Sequence, residues 1–272
     1  MKRILLGSVA LFAAGSALAD GSPWLGSPGN ATISTTQIFQ TADKLYVGDD
    51  DMDLPDDLTQ TTQWYSVSKV VSDNLSVDAK FGFAESDFVD SAGDTGTTDS
   101  TIGATWRVRD EFLSDSWLPS IAIRGAINVA GNYDEGEVTS IGDGASGAEA
   151  SIIVGKVFNN VIALSTEIGY RYRDSGVDND AFVNVNSYFQ LTDGLSVSAG
   201  YHIVDAQGDL DLNDSEFTGD FTELAEDNTL ADINVSYEFD NRLSITLTRA
   251  SVLDGRNTAK SDISALSVGY TF

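Results

Sequence analysis

The chain has 272 residues, 42 acidic and 15 basic, for a formal net charge of −27, and it contains no cysteine. So acidic a surface repels polyanions and excludes nucleic acid as an expected partner. The missing cysteines exclude disulfides, thiol chemistry and a lipid anchor on a cysteine.

Lys2 and Arg3 open the chain, Ile4 to Ala14 is mostly apolar, and Ala17-Leu18-Ala19 is a small-residue cleavage site. This pattern predicts a signal peptide over 1–19. The apolar run is shorter than the roughly 20 residues a spanning helix needs. Residues 20–28 are expected to form an N-terminal periplasmic segment, and residues 29–272 a single domain. Four prolines in the whole chain leave room for long strands.

Apolar and polar residues alternate through the later segments, the period of a strand with one apolar face. Ile162, Leu164, Ile168, Tyr170 and Tyr172 oppose Ser165, Glu167, Gly169, Arg171 and Arg173. Leu195, Val197, Ala199, Tyr201 and Ile203 oppose Ser196, Ser198, Gly200 and His202. Ile233, Val235, Tyr237 and Phe239 oppose Asp232, Asn234, Ser236 and Glu238. Leu243, Ile245 and Leu247 oppose Arg242, Ser244 and Thr246; Leu266, Val268, Tyr270 and Phe272 oppose Ala265, Ser267, Gly269 and Thr271.

Short connections near 72–74, 158–160, 192–194 and 239–241 alternate with long acidic ones near 47–59, 86–98, 131–145, 173–179, 206–227 and 253–260. That sorting predicts an all-β fold: one transmembrane antiparallel β-barrel of roughly twelve strands, with short periplasmic turns and long acidic extracellular loops, in the outer membrane of a Gram-negative cell. A β-sandwich also alternates, but its loops do not sort by length.

If the apolar face meets lipid, the other lines the lumen. That face carries Asp78, Lys80, Arg107, Arg109, Arg124, Glu149, Glu167, Arg171, Arg173, His202, Asp232, Glu238 and Arg242. Enclosed charges need partners, so two readings stand: an ion-paired filling that stabilises the barrel, or a charged constriction in a channel. Arg171 and Arg173 beside Glu167, with Arg107, Arg109 and Arg124, form the cluster expected to attract anions such as aromatic acids.

Three apparent motifs read as something else. Gly142-Asp-Gly-Ala-Ser-Gly147 matches a dinucleotide fingerprint, but it follows an acidic loop and opens a strand. Asp49, Asp51 and Asp53, and again Asp209, Asp211 and Asn213, have calcium-loop spacing without the glycine at the sixth position. His202 is the sole histidine, which excludes a His-cluster metal site, and no motif marks a nucleophile for it to activate. No catalytic, cofactor or metal residues are assigned.

Five features recur in one order: Asp53-Leu-Pro-Asp-Asp-Leu-Thr59, the strand–turn–strand from Trp64 to Phe83, Gly142-Asp-Gly144 leading to Glu149 and Gly155, Glu167-Ile-Gly-Tyr-Arg-Tyr-Arg173, and Gly255-Arg-Asn-Thr258. In that order the chain resembles the transporter-like outer-membrane barrel family named for the MetA pathway of phenol degradation, over nearly all of the mature length. One departure is the connection from Asp110 to Trp117, longer than a tight turn. The resemblance implies passage of small compounds, aromatic ones among them. The terminal Phe272 resembles the signal read by the barrel-assembly machinery. The expectation is therefore a monomeric porin-like channel for passive uptake of small solutes, aromatic or anionic compounds among them. The alternatives are a structural or surface-interaction barrel with a closed lumen, and third a membrane-embedded hydrolase. Expected partners are membrane lipid and lipopolysaccharide, the assembly machinery, the solute, and divalent cations at the loops.

Overall fold

A computed structural model describes residues 21–89, 93–113, 117–159 and 161–272. The expected signal peptide lies outside the described residues. The strands are β1 (Ala31–Val47), β2 (Asp50–Ser72), β3 (Leu75–Asp87), β4 (Asp94–Thr97), β5 (Ser100–Arg109), β6 (Ser120–Val129), β7 (Gly147–Phe158), β8 (Ile162–Arg173), β9 (Asp180–Gln190), β10 (Leu195–Ala206), β11 (Asp227–Glu238), β12 (Leu243–Arg256) and β13 (Ala259–Thr271). Every pairing is antiparallel between neighbours, and β13 returns to β1. β4 is a four-residue strand against the far part of β3, where β3 also pairs with β5. Setting β4 aside leaves a closed barrel of twelve strands, whose wall satisfies its own backbone hydrogen bonds.

The alternation turns this barrel inside out relative to a water-soluble one. Ile33, Phe81, Ile102, Trp106, Ile152, Ile168, Tyr172, Val235, Leu247 and Leu266 stand exposed around the outer wall. Arg124, Ser151, Glu167, Asn186, Asp232, Asn234 and Thr248 are buried within. The interior is not wholly polar: Ile38, Ala250, Ile263 and Ala265 form a buried cluster against Trp64 and Leu230.

At the end where the described chain enters and leaves, the connections span 73–74, 159–161, 191–194 and 239–242, with a longer one over 110–119 that holds the 3-10 turn Glu111–Leu113. At the far end, 130–146, 174–179 and 207–226 are long connections.

Two expected loops are strand instead. The segment near 47–59 turns tightly at Gly48-Asp49 and then runs as β2, and the segment near 253–260 turns at Asn257-Thr258. Lys44 lies 3.5 Å from Asp51 and 3.3 Å from Asp53, and Lys260 lies 2.8 Å from Asp51. Cross-strand cations let a dense acidic run adopt strand pairing, which its charge and turn-forming residues disguise. Part of 86–98 is likewise strand, in the end of β3 and in β4.

Candidate functional site

The ion pairs of the lumen follow from strand register. Arg124 on β6 chelates Asp78 through both terminal nitrogens, at 2.6 and 2.9 Å, and its Nε lies 3.6 Å from Glu149 Oε1. A Cβ on Gly103 would strike that guanidinium, so a glycine there makes room for it. Glu149 sits opposite Arg171 across β7 and β8, and Arg171 sits opposite Asp180 across β8 and β9. Arg171 Nε is 3.4 Å from Glu149 Oε2, and its Nη1 is 3.3 Å from Asp180 Oδ2. Arg173 continues the series to Asp180 at 3.1 Å and to Asp143 in the 130–146 connection. Asp78, Arg124, Glu149, Arg171 and Arg173 thus form one network, closed by Asp143 and Asp180. Those last two were not singled out from sequence, because one lies in an irregular segment and the other is the first residue of its strand.

A second band lies alongside. Glu167 accepts from Ser151 Oγ at 2.5 Å and from Asn184 Nδ2 at 3.1 Å. Asn184 turns its Oδ1 to His202 Nδ1 at 2.9 Å, and Asp232 Oδ2 meets His202 Nε2 at 2.6 Å. Both ring nitrogens of His202 are thus hydrogen-bonded to side chains. With both nitrogens engaged, the ring has none left to activate a nucleophile. Asp232 also accepts from Asn234 Nδ2, which donates to Ser198 as well, while Thr248 donates to Asn234 Oδ1.

The N-terminal segment lies inside the barrel. Trp24 is 1% exposed, packed edge-on against Tyr188 at 5.9 Å, with its indole nitrogen donating to Glu111 Oε1 at 3.1 Å. Glu111 also binds Lys156 at 2.7 Å and accepts from the Val157 backbone. A Cβ on Gly155 would lie 2.6 Å from Pro23 and Trp24, so the bare backbone there lets the segment seat. The tryptophan amid Gly, Ser and Pro is the sequence signal for this contact, and the long 110–119 connection is its counterpart.

The remaining predicted residues scatter. Arg107 pairs with Asp110 at 3.1 Å and donates to the Asp73 carbonyl at 2.5 Å. Arg109 is on the same inward face of β5, beside a bulge. Lys80 stands 4.3 Å over the Trp64 ring. Glu238 ends β11 at the entry rim. Arg242 corrects the alternation: it lies exposed in the turn before β12 at φ +69° rather than on the wall. A left-handed residue closes that turn, a role alternation cannot signal.

Three cavities of about 280, 200 and 230 Å³ follow one another inward from the far mouth. The first two share Asp143, Phe221 and Glu226; the second and third share Arg171, Val204 and Asn228. The third ends on Glu167, Asn184 and His202, with Phe182 and Leu230 as its apolar side. Glu226 projects into the shared lining, within reach of water yet enclosed by protein. That enclosure, with Asp143 nearby, pushes its pKa up to about 8 against the opposing effect of Arg173. In the same mouth the Tyr133 hydroxyl donates to Asp99 at 2.6 Å, and burial pushes its pKa up.

Residues of the calcium-like spacings have side-chain partners within the protein. Asp211 binds Arg256 Nε at 2.5 Å and Asn257 Nδ2 at 3.0 Å, while Asp51 and Asp53 face lysines. Among the described residues no group of three metal-ligating side chains converges.

No protein-family model matches the chain, and no curated protein matches its sequence. Solved structures are similar in fold. The COG4313 outer membrane channel from Pseudomonas putida F1 has a TM-score of 0.75 at 14% identity, covering 93% of this chain and 100% of that one. The NanC porin has a TM-score of 0.57 at 8% identity, covering 88% and 98%. The translocator domain of autotransporter NalP from Neisseria meningitidis has a TM-score of 0.52 at 13% identity, covering 98% and 93%. The fold of this chain is therefore one that outer-membrane channels and porins adopt.

Proposed function

We propose that the protein is an outer-membrane channel for small solutes, with its entry rim in the periplasm and its long acidic connections at the cell surface. The observation that carries this reading is the succession of cavities from the far mouth to the floor at Glu167 and His202, inside a wall whose outer face is apolar. Girdle aromatics Tyr270 and Phe272 stack at the periplasmic edge of that face. The fold shared with the COG4313 channel and NanC supports it. The N-terminal segment with Trp24 is the floor of the path and narrows it.

The lining suggests the solute class. Arg124, Arg171 and Arg173 each have carboxylate partners, so they do not present the free positive cluster that the sequence suggests. Carboxylates outnumber cations along the cavities, and Phe182 and Leu230 offer an apolar side. Small neutral or cationic solutes with an apolar face fit this lining better than anions. No enzymatic role is assigned, since both nitrogens of His202 are engaged. Lipopolysaccharide and the assembly machinery remain proposed partners on the ground of location.

Liposome swelling tests the reading. Proteoliposomes should admit small neutral and cationic aromatic solutes faster than anionic ones of equal size. No swelling with any solute, or fastest entry of anions, would overturn it.

A further inference from the structure

We propose that the outer wall over β12, β13, β1 and β2 docks, within the membrane, against the same face of a second copy of this chain. The proposal rests on the wall meeting lipid and is independent of what passes through the barrel.

The four strands are neighbours in the sheet. On the opposite side of the barrel the outward positions of β7 and β8 are apolar, with Ile152, Val154, Leu164 and Ile168 exposed. Here the outward positions turn polar at mid-strand. Arg249, midway along β12, stands outward between Leu247 and Leu253, both more than half exposed. Its Nη2 lies 2.7 Å from Asp262 Oδ2 on β13, and its Nη1 donates to Ser264 Oγ at 2.9 Å. The two side chains of that ion pair are 54% and 58% exposed, whereas the lumen pairs of Arg124 and Arg171 are mostly covered. Ser264 is paired with Phe39 of β1, and two residues along β1, Gln37 is paired with Gln63 of β2. Gln63 in turn donates to Thr35 Oγ1 at 2.6 Å. Thr35, Gln37, Gln63, Arg249, Asp262 and Ser264 thus form one outward polar patch, with the exposed side chains of Phe39 and Leu266 among them.

Hydrocarbon supplies no hydrogen-bond partner, and charged groups facing it at mid-height are costly. Lipid headgroups lie at the two edges of the apolar band, so a lipid would cover the patch with acyl chains, which answer none of its polar groups. A second copy answers all of them. The patch holds one cation and one anion, and its amides both donate and accept. A two-fold axis lays such a face on itself, so each Arg249 meets the other copy's carboxylate and the glutamines meet glutamines. Toward the entry end the same wall has a groove of about 430 Å³ beside Tyr65, Phe81 and Tyr270, which supplies the apolar part of the contact.

The chain has no cysteine, so a single introduced cysteine reports only on its own position. In native outer membranes a short bis-maleimide should join Ser264→Cys into a covalent species of twice the chain mass. It should leave Ile168→Cys, on the opposite wall, monomeric. Heat-modifiable gel mobility checks that each is folded. Arg249→Leu with Asp262→Leu makes the patch more apolar, as a lipid-facing wall should be. Added to Ser264→Cys, this pair should cut the dimer about tenfold or more, the scale of one or two polar contacts between membrane segments. Folded Ser264→Cys that stays monomeric, equal cross-linking of Ile168→Cys, or an undiminished dimer in the leucine variant would each overturn the proposal. A monomer that co-purifies with lipid on this face would give the face to lipid and overturn it too. Should the leucine variant fail to fold, the contrast between Ser264→Cys and Ile168→Cys decides alone. None of these outcomes measures conductance, so the channel reading stands or falls separately.

Discussion

Arg124 is 1% exposed and answers to two carboxylates at once. Arg124→Met should strand Asp78, leave Glu149 with Arg171 alone, and cost about 3–5 kcal/mol, the range for removing one partner of a buried pair. Arg124→Lys should recover only part of this, because a point charge cannot chelate as the planar fork does. Urea titration of the refolded barrel, read by gel mobility, checks both. Glu226 gives a pH signature. Its carboxyl is held neutral to about 8 by enclosure and by Asp143, so raising the pH through that value adds a negative charge to the mouth. Reversal potentials in a salt gradient should become more cation-selective between about pH 6 and 9, and Glu226→Gln should flatten the change. At this scale alternation placed Arg124, Glu149, Glu167, Arg171, Arg173, His202 and Asp232 on one face without knowing their partners. Asp180, Asp143 and Glu111 were not legible, because their roles depend on the register and the loop path that bring them to those cations.

Strands differ in how openly the sequence displays them. β8, β10, β11 and β13 alternate cleanly because each has one face outward and one inward along its length. The extended hairpin of β1 and β2 does not, because β2 begins with consecutive exposed acidic residues while neighbouring Leu45 and Tyr46 on β1 are both buried. The 207–226 connection is pinned by Asn257, whose side chain accepts from the Gly48 and Leu212 backbones and donates to the Leu210 and Ala225 carbonyls. One asparagine thus joins three far-end connections, a role visible only once the barrel is closed. The outward phase of β11 is open to test. Val235→Arg should cost about 2–4 kcal/mol at mid-height of the wall and impair assembly, while Val235→Leu should not. Asn234 is no tolerant control, despite facing inward, since it is 4% exposed and bonded to Ser198, Asp232 and Thr248. Equal yields of folded Val235→Arg and Val235→Leu would mean that this face does not meet lipid.

The whole molecule reads as a sealed wall with a charged, paired interior and a floor made from its own N-terminal segment. Closure and strand number were legible from the alternation and the sorted connections. The floor was not, because Gly21 to Leu25 has no periodicity and its one aromatic gains meaning only when Gly155 and Tyr188 are brought beneath it. The direct measurement is single-channel conductance in a planar bilayer, comparing the intact protein with Trp24→Ala, which removes the contacts to Tyr188 and Glu111. The intact barrel should show small, steady steps, and Trp24→Ala larger and noisier ones as the floor lifts from the path. Absence of conductance steps from both, in protein whose gel mobility shows a folded barrel, would contradict the channel.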